Sequence, residues 1–360
     1  MPSLQRVASK LVLIYIYNNN PYRAIESQQP MPSLSSARAS NAAFSPPNPP
    51  TALFVGGTSG IGQATAQAFA RSTNGKAHII ICGRNRPAAE STIASFPKSS
   101  QSRYEFVECD VSLLKNVHTT TSELLTKLPK LNFVVLSPGY LTSKLSDRED
   151  TSEGLPKKLV TDYYARWTFI YELMPLLRKA KEAGEDAKVL SVLAPGKGGA
   201  IDLEDLGMEK GYSLPKERGT AATYNDLMIE VSSPPTSSSS TISTYLPPLP
   251  PSQSFAAQEP TMSFTHIYPG LVRTPIFHPS PTSYLLRFLY PLWYILSYFF
   301  SLSPTESGEY HLHALLAGEK GSFRRGPKGE VLKDGVGYFG TEEARKRLWE
   351  YTVKVTKAET

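Results

Sequence analysis

The stretch Thr51–Gln63, TALFVGGTSGIGQ, constrains the fold more than any other part of this chain. It reads as a buried strand, a glycine-rich turn and the opening of a helix. Gly56 lets the chain turn tightly, and Gly60 lets the backbone approach a pyrophosphate. Gly62 lets the helix lie close against the strand, so that the first helical amides, beginning at Ile61, face the phosphates. A glycine turn by itself says little. One that follows a buried strand and opens a helix is the fingerprint of dinucleotide binding.

The rest of the chain keeps the rhythm this motif sets. Apolar runs of strand length occur at Ala52–Val55, His78–Cys82, Tyr104–Cys109, Asn132–Ser137, Val189–Leu193 and Met262–Tyr268. Helical stretches lie between them, notably Ile61–Arg71, Val117–Leu128 and Leu155–Ala180. Strands rich in Ile and Val without alternation are buried on both faces, which requires a parallel sheet covered by helices. The expectation is one Rossmann-type, doubly wound α/β domain in three layers, built from residues 51–231 and 262–356. A length of 360 residues with 40% hydrophobic side chains accommodates such a core with extensions to spare.

Three segments fall outside that rhythm. Residues 1–50 are rich in Pro, Ser and Asn and are expected to be a disordered or non-native extension. Their one apolar run, Leu11–Tyr17, is too short for a membrane span and poorly flanked for a secretory signal. Arg6, Lys10 and Arg23, with no acid before Glu26, are compatible with a mitochondrial presequence. The blander reading is that Met31 is the working start, because MPSL at 1–4 recurs at 31–34. Residues 232–261 are Ser/Pro-rich and cannot build a core, being either a disordered surface insertion or a wrongly predicted coding stretch. Tyr284–Leu302, within the apolar segment 283–303, carries Arg287 and Pro291 inside it. It reads as a lid over an apolar pocket, as a face lying in a membrane interface, or as a span.

Charge excludes more than it suggests. The net charge is +6, but the basic residues are scattered. Lys115, Lys127 and Lys130, like Arg345, Lys346 and Arg347, read as solvated helix faces. No basic stripe interleaved with aromatics points to nucleic acid. Cys82 and Cys109 each end an apolar run, as small buried residues do, and no His or Cys spacing points to a metal. Nothing suggests an oxidising compartment, so the protein is expected in the cytoplasm, with membrane-surface contact through 283–303 left open.

The second strand ends in Gly83, Arg84 and Asn85. A carboxylate there would accept hydrogen bonds from the ribose hydroxyls of NAD. A guanidinium suits a 2′-phosphate instead, so NADP is favoured, with NAD not excluded. Ser59 offers a hydroxyl to the same phosphate.

The full set of motifs resembles the short-chain dehydrogenase/reductase family over residues 51–355, interrupted at 232–261. The G-x-x-x-G-I-G spacing at 56–62 is similar to that family's phosphate loop. Asp110 and Val111 resemble the pair that holds the adenine. Ser137-Pro138-Gly139 stands where the family has Asn-Ala-Gly, and Ser191 stands where the resemblance implies the catalytic serine. The run from Pro269 and Gly270 to Thr274 resembles the turn that meets the nicotinamide. The tail GYFGTEEARKRLWEYT resembles the close of the longer, retinol-dehydrogenase-like members. The resemblance implies hydride transfer between NADP(H) and a small hydrophobic alcohol or ketone. It is also compatible with a homo-oligomer.

The chain departs from that family at the proton-transfer group. The family places a tyrosine and, four residues on, a lysine on one helix face, so that the lysine lowers the tyrosine pKa. Anchored on Asn225–Leu227, those positions fall at Arg218 and Ala222. Tyr212 and Lys216 have the spacing, but Pro215 marks the first turn of a helix, so Tyr212 precedes it. Tyr224 lies inside the helix with Met228 four residues on. Val55 replaces the threonine before the first glycine, and Asp162 or Tyr164 stands near the relay asparagine. A non-catalytic NADP-binding protein is therefore the alternative to an oxidoreductase.

Overall fold

The computed structural model describes residues 30–140, 148–230, 253–274 and 301–357. Its strands are β1 Thr51–Val55, β2 His78–Gly83, β3 Arg103–Glu108, β4 Phe133–Leu136, β5 Lys188–Val192, β6 Ser263–Ile267 and β7 Gly321–Arg325. They form one parallel sheet in the order β3-β2-β1-β4-β5-β6-β7. Chain order reverses at β1, so a crevice for ligands opens beyond the carboxyl ends of β1 and β4.

The helices are α1 Leu34–Ala42, α2 Gly60–Ser72, α3 Arg86–Ala94, α4 Leu114–Lys127, α5 Ala165–Glu182, α6 Leu214–Ile229, α7 Pro304–Ala317 and α8 Glu342–Thr356. Side chains alternate across each strand, so β1 feeds two cores. Ala52 and Phe54 meet Phe69 of α2 and Leu312 of α7 on one face. Leu53 and Val55 join α4, α5 and α6 on the other. Both faces are dry, which is why the strands read as unbroken apolar runs.

Four differences from the sequence expectation have physical causes. Residues 33–44 belong to the fold, although 1–50 was expected outside it. Ser33 caps α1, Asn41 Nδ2 donates to the Glu309 backbone and carboxylate at 2.9 Å each, and the Phe44 ring lies edge-on to Phe133 at 5.9 Å. The run of small residues in α1 has no amphipathic period to reveal this. Likewise 254–258, the end of the expected insertion, is structured. Phe255 in the short helix Phe255–Gln258 is 1% exposed and packs on Phe264 and Trp349. β7 carries no clear strand signal because GSFRR is an edge strand, half-buried and polar. The stretch Leu155–Ala180, expected as one helix, is a short helix Lys157–Leu159, a π-helical turn Val160–Tyr164 and then α5.

The apolar segment Tyr284–Leu302 lies outside the described residues except for Ser301 and Leu302. Leu302 bridges Val272 in the turn after β6. Among the described residues no helix is long and apolar enough to cross a membrane. Both cysteines are buried and neither forms a disulfide.

Candidate functional site

The phosphate loop is held by close backbone approach. Gly56 has φ +78° and Gly60 φ +60°, the left-handed region that favours glycine. A Cβ on Gly56 would lie 2.7 Å from the Pro138 nitrogen. One on Gly62 would lie 2.3 Å from Ser137 Oγ and 2.5 Å from the Gly56 oxygen. Ser137 Oγ in turn donates to the Val55 carbonyl at 3.2 Å. The ends of β1 and β4 and the start of α2 thus interlock through backbone. Ser59 is the N-cap of α2, yet its side chain makes no capping bond, and the first turn contains no acid. The amides from Ile61 onward therefore stay available to an anion at the positive end of the helix.

Beside this loop, Gly83 ends β2, and a Cβ there would meet Thr58 Cγ2 at 2.8 Å. Thr58, which the sequence did not single out, thereby fixes the loop against the β2 end. Arg84 is exposed and has no hydrogen-bond or ion-pair partner among the described residues. Asn85, expected to touch cofactor, caps α3, its Oδ1 accepting from the Ala88 amide at 3.0 Å, as an Asn before a proline-led first turn is well suited to do. Asp110 Oδ1 accepts from the Ser112 amide at 3.0 Å, shaping the turn in which Val111 is half-buried.

The turn after β6 closes the crevice from the other side. Pro269 leads into Gly270, which has φ +69°. Thr274 then presents Cγ2 3.2 Å from where a Cβ on Gly60 would sit. Gly139, after β4, is exposed with no heavy atom within 4 Å of a built Cβ. Gly56, Gly60, Gly62, Gly139 and Thr274 thus share one edge of the sheet. The cradle a Cβ would fill, the uncapped helix start and the exposed Arg84 together fit a phosphorylated dinucleotide.

The expected catalytic residues do not converge. Ser191 is fully buried, facing α5 and α6 rather than the crevice. Its hydroxyl donates to Asn225 Oδ1 at 2.8 Å and accepts from Arg166 Nη1 at 2.9 Å. Its one donor hydrogen is thus engaged inside the fold, where Ser191 ties α5 to α6. Tyr212 precedes the N-cap Ser213 of α6, while the Lys216 amide donates to Ser213 Oγ. The two therefore share no helix face. Burial, followed by the Glu217 and Asp162 charges, raises the Tyr212 phenol to about 12, opposite to what an activating lysine would do. Tyr224 is buried and donates to the Leu206 carbonyl at 3.0 Å.

What organises the site is a set of charged residues that the sequence gives little reason to join. The π-helical turn shifts the helical bonds and frees two carbonyls. Arg166 Nε donates to Thr161 O at 3.4 Å, and Asn225 Nδ2 donates to Asp162 O at 2.8 Å. Arg166 also bonds Leu136 O at 3.2 Å, Val192 O at 2.9 Å and Pro138 O at 2.6 Å, stapling the ends of β4 and β5. Its burial pulls the guanidinium down to about 10, with Asp162 opposing. One turn earlier Lys158, itself buried, pairs with Asp162 and lies 5.1 Å above the Tyr140 ring. Glu217, in the first turn of α6, is fully buried, and neither carboxylate oxygen has a partner among the described residues. Burial first, then the Asp162 charge, raises it to about 8. Arg166 carried a readable signal, a charge inside an apolar helix. Glu217 did not, since an acid in a first helical turn is ordinary.

Residues 50–191 match the family model of short chain dehydrogenases. An oxidoreductase of Emericella nidulans is 34% identical over 289 residues, covering 79% of this chain and 77% of the relative. Among solved structures, an uncharacterized protein from Mycobacterium paratuberculosis superposes with a TM-score of 0.56 at 14% identity, covering 89% of this chain and 97% of its own. YwfH, an NADPH dependent reductase involved in bacilysin biosynthesis, gives a TM-score of 0.52 at 15% identity, covering 80% of this chain and 100% of its own. At such identities the two structures bear on the fold alone.

Proposed function

The chain belongs to the short-chain dehydrogenase/reductase family, and on that premise we propose that it is an NADP(H)-dependent oxidoreductase interconverting a hydrophobic alcohol and its ketone. The observation that carries the reading is the Gly56–Gly62 cradle with the exposed Arg84 beside it. The loop amides take the pyrophosphate, and Arg84 takes the 2′-phosphate with its planar fork of donors. When bound, the nicotinamide supplies hydride chemistry, and the chain supplies position and a proton. The apolar segment 283–303 supports a lipophilic substrate. Purified full-length protein is expected to oxidise NADPH in the presence of at least one of a panel of lipophilic ketones. No oxidation above background across the panel would contradict the reading.

One observation favours a second reading, a non-catalytic NADP-binding protein. Tyr212 and Lys216 share no helix face, and Ser191 is taken up by Asn225 and Arg166. Tight NADP binding with no turnover on any carbonyl would favour it over the first.

A further inference from the structure

We propose that His266 is a positioning residue for the cofactor site, held by Asp226 in the one tautomer that can fix the loop after β5. The proposal rests on the reading of the crevice as an NADP site, which both functional readings share. His266 lies on β6 opposite Ser191 of β5 and is fully buried. Its Nε2 accepts the Ala194 amide at 3.0 Å. A backbone amide only donates, so Nε2 carries no proton. The ring therefore bears its single proton on Nδ1, which donates to Asp226 Oδ1 at 2.7 Å.

The surrounding charges keep the ring in that state. Asp226, from α6, is 1% exposed, and Arg324 of β7 sets its Nε 3.0 Å from the other carboxylate oxygen. This ion pair is neutral as a unit. A second proton on the ring would bury a further cation facing Arg324 and Arg166 of α5, with no new partner. Burial lowers the ring below its usual range, Asp226 opposes, and Arg324 and Arg166 assist. Glu230, the next acid on α6, is taken up by Tyr338 and Arg345.

The loop that His266 holds reaches the cofactor turn. Residues 193–199 leave the carboxyl end of β5, next to β4 in the sheet. Their glycine half is fixed by α6, where Gly199 N donates to Gly219 O at 3.0 Å and Thr223 Oγ1 donates to Gly199 O at 2.7 Å. Among the described residues the Ala194 amide, at the strand end of the loop, has only His266 as acceptor. Between these two anchors, Lys197 places its ammonium 5.8 Å above the Tyr268 ring. Tyr268 leads directly into Pro269 and Gly270, the turn that carries Thr274 to Gly60 in the phosphate loop. A loop released at Ala194 loosens its hold on that turn.

The test leaves the histidine in place and changes its partner. In Asp226→Asn the amide oxygen faces Arg324, so its NH2 faces Nδ1 and drives the ring proton to Nε2, against the Ala194 amide. Nitrogen-15 spectra of the full chain labelled at histidine should show the Nδ1–H form in wild type and the Nε2–H form in Asp226→Asn. Hydrogen exchange at Ala194 should become at least about tenfold faster in that variant, and the Kd for NADPH should rise about tenfold, the worth of one hydrogen bond. His266→Gln offers one acceptor and one donor and should keep both values within about threefold of wild type. Should Asp226→Asn not fold, His266→Leu compared with His266→Gln makes the same contrast. A wild-type ring in the Nε2–H form, or loss of the Ala194 bond with NADPH affinity unchanged, overturns the proposal and leaves the NADP reading intact. A wild-type protein that binds no NADPH overturns that reading and the positioning role with it.

Discussion

Gly62 stands so close to Ser137 that a Cβ at position 62 would lie 2.3 Å from the serine Oγ, with the Gly56 oxygen only 2.5 Å away. The contact ties the first turn of α2 to the end of β4, so the phosphate loop owes its shape to the whole sheet. Gly62→Ala is expected to destabilise the fold by about 1–3 kcal/mol, the usual range for overpacking, and to weaken NADPH binding by at least about tenfold. Thermal unfolding and a fluorescence titration of the same preparation would check both effects.

Arg84 is exposed and unpaired among the described residues, so removing it should not disturb the fold. A hydrogen bond to a charged group contributes about 1.5–3 kcal/mol. Arg84→Ala should therefore raise the Kd for NADPH roughly 10- to 100-fold and leave the Kd for NADH unchanged. An equal loss for both cofactors would place the guanidinium elsewhere.

Ser191 bonds Asn225 and Arg166 in the interior. Ser191→Ala leaves both partners short of a bond, a cost of about 1–3 kcal/mol for buried polar groups. The expected outcome is a lower Tm with KM and kcat changed less than about threefold. A large fall in kcat at unchanged Tm would return the serine to the reacting atoms.

Burial and the Asp162 charge raise the Glu217 carboxyl from 4.5 to about 8. Between those values the folded protein keeps a proton that the unfolded chain has released, so this contribution is fully present below about 4.5 and is lost as pH climbs through 8. Tm measured against pH should fall more steeply over this window in wild type than in the Glu217→Gln variant. Parallel curves would show that Glu217 is ionised throughout.

The fold was largely legible because β1, β2, β4 and β5 are buried on both faces and the loop between β1 and α2 allows little but glycine. The place of Arg84 just beyond the end of β2 was legible for a related reason, being a fixed point in the topology. The buried polar network behind the crevice was not. Ser191 ends an apolar run as a catalytic serine would, but the alternation of β5 turns it towards α5 and α6, away from the crevice. The importance of Asp162, Arg166 and Asn225 depends on a π-helical turn that sequence periodicity does not show. Glu217 looks like a helix-start acid until its burial is seen. Asn41 and Phe255 give no signal because each is a lone anchor in a polar or small-residue stretch, with no period around it.

The most direct measurement is calorimetric titration of the full-length protein with NADPH and with NADH at matched ionic strength. One site per chain is expected, with NADPH binding at least about tenfold more tightly than NADH, given a charge-assisted phosphate contact of about 1.5–3 kcal/mol. Equal affinities, or no binding of either, would contradict the assignment of the Gly56–Gly62 loop and Arg84 as an NADP site.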